Sequence, residues 1–147
     1  MKVLVSACIV GTNCKYNGKN NKNLAAVNFL KDKEVILICP ELLAGMEIPR
    51  PCAEIVNGSV VDENGKNVDS AYRKAVSLAL SKIQNEEIDL AILQSRSPTC
   101  GVNQIYDGSF TGKLTAGTGL FAKALKQRGY KVVDVEEIGN CFMEASI

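Results

Sequence analysis

Six cysteines and no histidine set the chemistry open to this chain. Three of the cysteines share one local setting. Val3-Leu4-Val5-Ser6-Ala7 leads into Cys8, and Val35-Ile36-Leu37-Ile38 leads into Cys39-Pro40-Glu41. Leu90-Ala91-Ile92-Leu93 leads through Gln94-Ser95-Arg96-Ser97-Pro98-Thr99 into Cys100. Ligands of open α/β sheets bind just beyond the carboxyl ends of the strands. Three thiols delivered there from distant parts of the sequence can converge. Three thiolates can hold zinc, or three of the irons of a [4Fe–4S] cluster, since soft ligands favour both. In the second case one iron has no protein ligand and is open to a soft atom. No C-x-x-C pair occurs in the chain, which counts against a zinc ribbon or a thioredoxin-type redox site. The H-x-E and P-C-x-x-C elements of zinc deaminases are absent as well.

Free cysteines are also ordinary core residues. That is the reading for Cys141, near the C-terminal end, while spacing alone leaves Cys14 and Cys52 undecided. Cys8, Cys39 and Cys100 stand apart through their strand-end location. Glu41 sits two residues after Cys39, and a carboxylate beside a metal site can act as general acid or base. Ser97, just upstream of Cys100, either takes part in chemistry or shapes the turn before Pro98.

The elements that must position these residues are legible from hydrophobic patterning. A short helix is expected from Asn23 to Lys31, with Ala25, Ala26, Phe29 and Leu30 on its apolar face. Leu42 to Pro51 reads as a loop, because Pro49 and Pro51 rule out a long helix. Ile55–Val61 and Lys66–Val68 read as a small hairpin turning at Asn64-Gly65. Asp69 to Gln84 is the clearest helix, capped by Asp69 or Ser70, with Ala71, Ala75, Leu78, Ala79 and Ile83 forming a stripe. A strand over Ile88–Leu93, a long loop from Gln94 to about Leu114, a helix over Thr115–Arg128 and a strand over Tyr130–Val135 complete the chain. The expected fold is a single α/β, Rossmann-like domain over residues 1–147: a mostly parallel sheet flanked by helices, plus the hairpin.

Composition narrows the function. A length of 147 residues with 46% apolar content suits one core. A net charge of +1 gives no general attraction to nucleic acid or anionic membrane, so no extended nucleic-acid binding is expected. No apolar run approaches the ~20 residues of a membrane span. Met1-Lys2 runs straight into the first strand without an h-region and cleavage site, so a cytoplasmic protein is expected. A reducing cytosol turns six cysteines away from disulfides and toward ligation or catalysis.

Three phosphate-binding patterns compete. A strand leading into a Cys loop resembles low-molecular-weight tyrosine phosphatases and arsenate reductases, but Cys14 stands where their phosphate-clamping arginine belongs. Gly108-Ser109-Phe110-Thr111-Gly112-Lys113 imitates a Walker A loop, is too short, and has Leu114 where Ser or Thr should bind magnesium. Gly117-Thr118-Gly119-Leu120-Phe121-Ala122 fits G-x-G-x-x-A but lacks an apolar strand before it, so a glycine-rich helix start is the plainer reading.

Taken in order, Ser6-Ala7-Cys8-Ile9-Val10-Gly11, Tyr16-Asn17-Gly18, Cys39-Pro40-Glu41, Pro49-Arg50-Pro51 with Glu54, Arg96-Ser97-Pro98-Thr99-Cys100-Gly101 and Ile105-Tyr106-Asp107-Gly108-Ser109-Phe110-Thr111-Gly112 make a family pattern. The chain closely resembles the thiouracil desulfidase family from residue 2 to about residue 137. Asn17 and Cys52 stand where that family usually has Asp and Pro. The resemblance implies a [4Fe–4S] cluster on Cys8, Cys39 and Cys100, with catalytic roles for Glu41 and Ser97. It implies removal of sulfur from 2- or 4-thiouracil or 4-thiouridine monophosphate: the sulfur meets the open iron, water attacks the ring carbon, and sulfide is released without net redox change. Cys14 is then a reserve ligand, and Lys15, Arg50, Arg96 and Lys113 are candidates to hold a substrate phosphate. The alternative from another class is a nucleotide- or metal-binding module without turnover.

Overall fold

The computed structural model describes residues 1–138, and Cys141 lies outside the described residues. Four strands form one parallel sheet: β1 (Lys2–Ser6), β2 (Glu34–Ile38), β5 (Leu90–Leu93) and β8 (Val132–Asp134), in the order β2-β1-β5-β8. The continuous apolar runs follow from burial of the sheet's central strands on both faces. Val3 and Val5 of β1 pack with Leu90 and Ile92 in one core, which also holds Ala26 and Leu30 of helix α1 (Leu24–Leu30). Leu4, Ala91 and Leu93 belong to the opposite core with Val76, Ala79 and Ile83 of α3 (Asp69–Ile83) and Phe121 and Leu125 of α4 (Leu120–Gln127). The chain leaves β1 for β2 on one side, then crosses back to place β5 on the other. That reversal is the switch point at which such sheets bind ligands.

Among the described residues, no helix is long and apolar enough to cross a membrane.

Several elements differ locally from the sequence-based expectation. A short helix, α2 (Pro40–Leu43), opens directly after Cys39 with Pro40 in its first turn, where the missing N–H costs nothing. The hairpin of β3 (Ala53–Val56) and β4 (Ser59–Asp62) turns at Asn57-Gly58, whose φ values of 49° and 81° match the two left-handed positions of a tight hairpin turn. Asn64-Gly65 makes the following turn instead and returns the chain to a bridge between Val61 and Asn67. The long loop after β5 contains a second hairpin, β6 (Gln104–Tyr106) with β7 (Leu114–Ala116). Helix α4 accordingly begins at Leu120 rather than Thr115, beyond Gly117 and Gly119.

Helix α3 starts where expected, but neither Asp69 nor Ser70 is its N-cap; Val68 is. Asp69 lies in the first turn and reaches outward. Its carboxylate accepts Val60 N at 3.0 Å and Arg73 Nε at 2.7 Å, tying the hairpin to the helix. Arg73 holds the Asp69 carboxyl below its ordinary range. A carboxyl depressed in the folded state stabilises above the unfolded value of about 4 and loses that contribution as pH falls through the folded value. Asp69→Ala is therefore expected to lower stability by about 1 kcal/mol at pH 7. Urea unfolding at pH 7 and in acid should show the gap between the two proteins closing in acid.

Candidate active site

Each of the three strand-end cysteines is placed by a separate piece of local structure. Cys8 sits in a single 3-10 turn, Ala7–Val10, that follows β1 and ends at Gly11. Cys39 is the N-cap residue of α2, immediately after β2. Cys100 lies in the turn after β5 and is buried in the α3/α4 core. Because β2, β1 and β5 are neighbours in the sheet, all three reach the same carboxyl edge. They line one cleft of about 530 Å³ together with Glu41, Ser97 and Cys14.

Cys14 is the residue that spacing left undecided. It is buried, and its thiol is within hydrogen-bonding reach of both Cys39 and Cys8. Those two partners push the Cys14 thiol far up, with Cys39 the larger influence. The Cys8 thiol is moved down, chiefly because Cys14 donates to it and also through Asn21. Burial, then the nearby Glu41 charge, pushes the Cys100 thiol up. Cys52 also lines the cleft, and burial followed by Glu63 raises its thiol. All five described cysteines are free.

Glu41 is buried, in the first turn of α2. Its Oε2 accepts from Cys39 Sγ at 3.3 Å and its Oε1 from Thr99 Oγ1 at 2.5 Å. Thr99, which sequence reading passed over, is wholly buried. Ser97 has a turn-building job: its Oγ accepts Thr99 N at 3.0 Å and Cys100 N at 3.1 Å. The hydroxyl proton remains to be donated. Both readings of Ser97 are thus compatible, since the turn it builds also lines the cleft.

The phosphate-loop imitations resolve into structural devices. Gly108 N and Phe110 N donate to Glu54 Oε1 at 3.0 and 3.2 Å, so the nest of amides in the Walker-like segment holds the chain's own buried carboxylate. A Cβ on Gly119 would lie 2.6 Å from the Thr99 carbonyl carbon. That glycine is needed for close approach of α4 to the cysteine turn.

Of the basic candidates, Lys15, Arg50 and Arg96 line the cleft and Lys113 is not among its lining residues. Arg96 is paired with Glu136 at 3.1 Å. Arg50 donates to Cys14 O at 3.2 Å, and Arg50 N donates to Tyr16 O at 2.7 Å, so the Pro-Arg-Pro segment is docked on the first cysteine loop. Two buried polar atoms of the described residues lack a partner, Arg50 Nε and Gln94 Oε1, and both residues line this cleft.

A parallel α/β sheet that gathers soft thiol donors and the buried carboxylates of Glu41 and Glu54 around one cleft at its switch point defines an α/β protein with a thiol-lined ligand site. Comparison with known proteins gives the family. The 2-thiouracil desulfurase family model matches residues 3–137, and the chain belongs to that family. The uncharacterized protein YbbK of Bacillus subtilis (strain 168) is 33% identical over 148 aligned positions, covering 94% of this chain and 98% of that protein. The solved structure of the [4Fe-4S]-dependent thiouracil desulfidase TudS superposes with a TM-score of 0.85 at 30% identity, covering 99% of this chain and 97% of the other. That similarity bears out the expected α/β architecture.

Proposed function

We propose that this chain is a [4Fe–4S]-dependent desulfidase that exchanges the sulfur of a thiolated uracil for the oxygen of water. The substrate is 2- or 4-thiouracil or 4-thiouridine monophosphate. The C=S bond breaks and a C=O bond forms. Water supplies the oxygen, and its two protons leave with the sulfur as hydrogen sulfide, so no electron donor is consumed. The observation that carries this proposal is the meeting of Cys8, Cys39 and Cys100 in one cleft with the buried Glu41.

The donor set fits the cofactor. The cleft offers several thiols and no imidazole, which suits iron–sulfur ligation. An occupant would also give Arg50 Nε and Gln94 Oε1 somewhere to turn. Cys8, Cys39 and Cys100 would hold the cluster. When bound, it would supply a thiophilic Lewis acid that draws electron density from the carbon bearing the sulfur.

Glu41 would take a proton from the attacking water and return it to the departing sulfur, with Oε1 held by Thr99 and Oε2 turned to Cys39. Ser97 would donate its hydroxyl proton to the substrate, its oxygen being fixed by two backbone amides. A reducing, cytoplasmic setting suits these free thiols.

The test is anaerobic reconstitution with iron and sulfide, followed by addition of 2-thiouracil, 4-thiouracil or 4-thiouridine monophosphate. Broad visible absorbance and stoichiometric sulfide release are expected. A loaded cluster without sulfide release would leave a binding module and overturn the proposal.

A further inference from the structure

We infer that Thr99 is the positioning residue for Glu41, fixing the carboxylate beside Cys39 through a hydroxyl that never meets solvent. The inference rests on the desulfidase reading for its kinetic consequences, but its geometry is independent of it. The Thr99 side chain is completely buried, and its Oγ1 donates to Glu41 Oε1 at 2.5 Å. This bond links residues 58 positions apart, joining the β5 turn to the first turn of α2. The donor end of this bond is wholly buried, so water does not compete for the Thr99 hydroxyl.

The anchor itself is rigid. Thr99 N donates to Ser97 Oγ at 3.0 Å, and Thr99 O accepts Phe121 N at 2.9 Å and Ala122 N at 3.2 Å from the start of α4. Gly119 packs so closely on the Thr99 carbonyl that no side chain fits there. The hydroxyl is therefore presented from a fixed backbone, which is what precise placement of a reacting group requires.

The second Glu41 contact is the weaker one: Oε2 receives its hydrogen bond from Cys39 Sγ at 3.3 Å, and a thiol is a weak donor. Thr99 supplies the strong donor, an oxygen, on the other carboxylate oxygen. Serine preserves this function, while valine keeps the shape and loses the donor.

The experiment compares T99V, T99A and T99S with the wild type, each loaded to the same cluster content by visible absorbance. T99V and T99A are expected to lower kcat by about tenfold to a hundredfold, the scale of a small misplacement of a reacting group, with KM little changed. T99S is expected to stay within about threefold of the wild type. Crystal structures of cluster-free wild type and T99V supply the readout independent of turnover: the Glu41 carboxylate should leave Cys39 in T99V while Cys100 stays in place. Full kcat in T99V or T99A would overturn the inference, as would a loss in T99S as large as that in T99V, which would mean that the hydroxyl donor does not by itself hold Glu41. If T99V does not fold, T99A carries the same test. A wild type with no turnover would defeat the desulfidase reading instead. In that case an unmoved Glu41 in the T99V crystal would defeat the positioning role separately.

Discussion

Glu41→Gln should retain a fully loaded cluster and lose at least about a hundredfold in kcat, the usual contribution of a positioned general acid or base. Glutamine is the informative replacement because it keeps the shape of the buried side chain. Its amide oxygen can still accept from Thr99 Oγ1, so the tie between the β5 turn and α2 survives. What it cannot do is take a proton from water and give it to sulfur. Alanine would lose the same function but leave the Thr99 hydroxyl buried without an acceptor, which costs about 1–3 kcal/mol and confuses chemistry with stability. Glu41 is not one of the proposed ligands, so visible absorbance and iron content should match the wild type. Sulfide release from 4-thiouracil is the measurement. Turnover within tenfold of the wild type would remove Glu41 from the mechanism and move proton transfer to another group of the cleft.

How much of this was legible in the residues depends on how locally each feature is encoded. Of the three strands bearing cysteines, β1 and β5 were readable because parallel strands covered on both faces are apolar almost throughout, while β2 keeps an apolar run although Val35 and Leu37 of this edge strand are exposed. The strand ends were equally plain, since each run stops in a turn. Elements that meet solvent were harder. Leu114, Thr115 and Ala116 of β7 are all exposed, so no alternation marks them as a strand. The expected boundary between the long loop and the following helix falls inside this strand, between Leu114 and Thr115. The hairpin carried two Asn-Gly pairs, and the register of β3 against β4 chose Asn57-Gly58. Helix α2 is too short to show a period and is marked only by Pro40 in its first turn.

The site divides in the same way. The thiols and Glu41 were found because Cys8, Cys39 and Cys100 each follow an apolar strand run and Glu41 lies two residues after Cys39. Thr99 and Cys14 were not resolved, because what matters about them is a contact made across the fold. Thr99 meets Glu41 from another loop, and Cys14 comes between Cys8 and Cys39 only once the first loop has closed. The Glu54 nest is a third case. Its amides imitate a phosphate loop in the sequence, and their occupant is a carboxylate from β3.

Cys100→Ala should abolish both cluster and turnover while leaving the protein folded, whereas Cys14→Ala should keep the cluster. Cys100 is proposed as the third point of a three-point mount, and it comes from the strand on the far side of β1 from Cys39. Without it the two remaining thiols hold the group from one side only, and an iron–sulfur cluster short of a thiolate is exposed to loss. The fold should tolerate the change. Cys100 contributes a single sulfur to a core already filled by Leu93, Val102, Phe121 and Leu125, and removing one small group from such a core costs on the order of 1 kcal/mol. Circular dichroism can confirm that the variant is folded before iron is measured. Cys14 is the control that makes the result specific, because it is equally buried and touches two proposed ligands without being one. Iron content, visible absorbance and sulfide release should all fall together in Cys100→Ala and persist in Cys14→Ala. If Cys14→Ala loses the cluster while Cys100→Ala keeps it, the mount is built on Cys14 and the strand-end assignment of the third ligand is wrong.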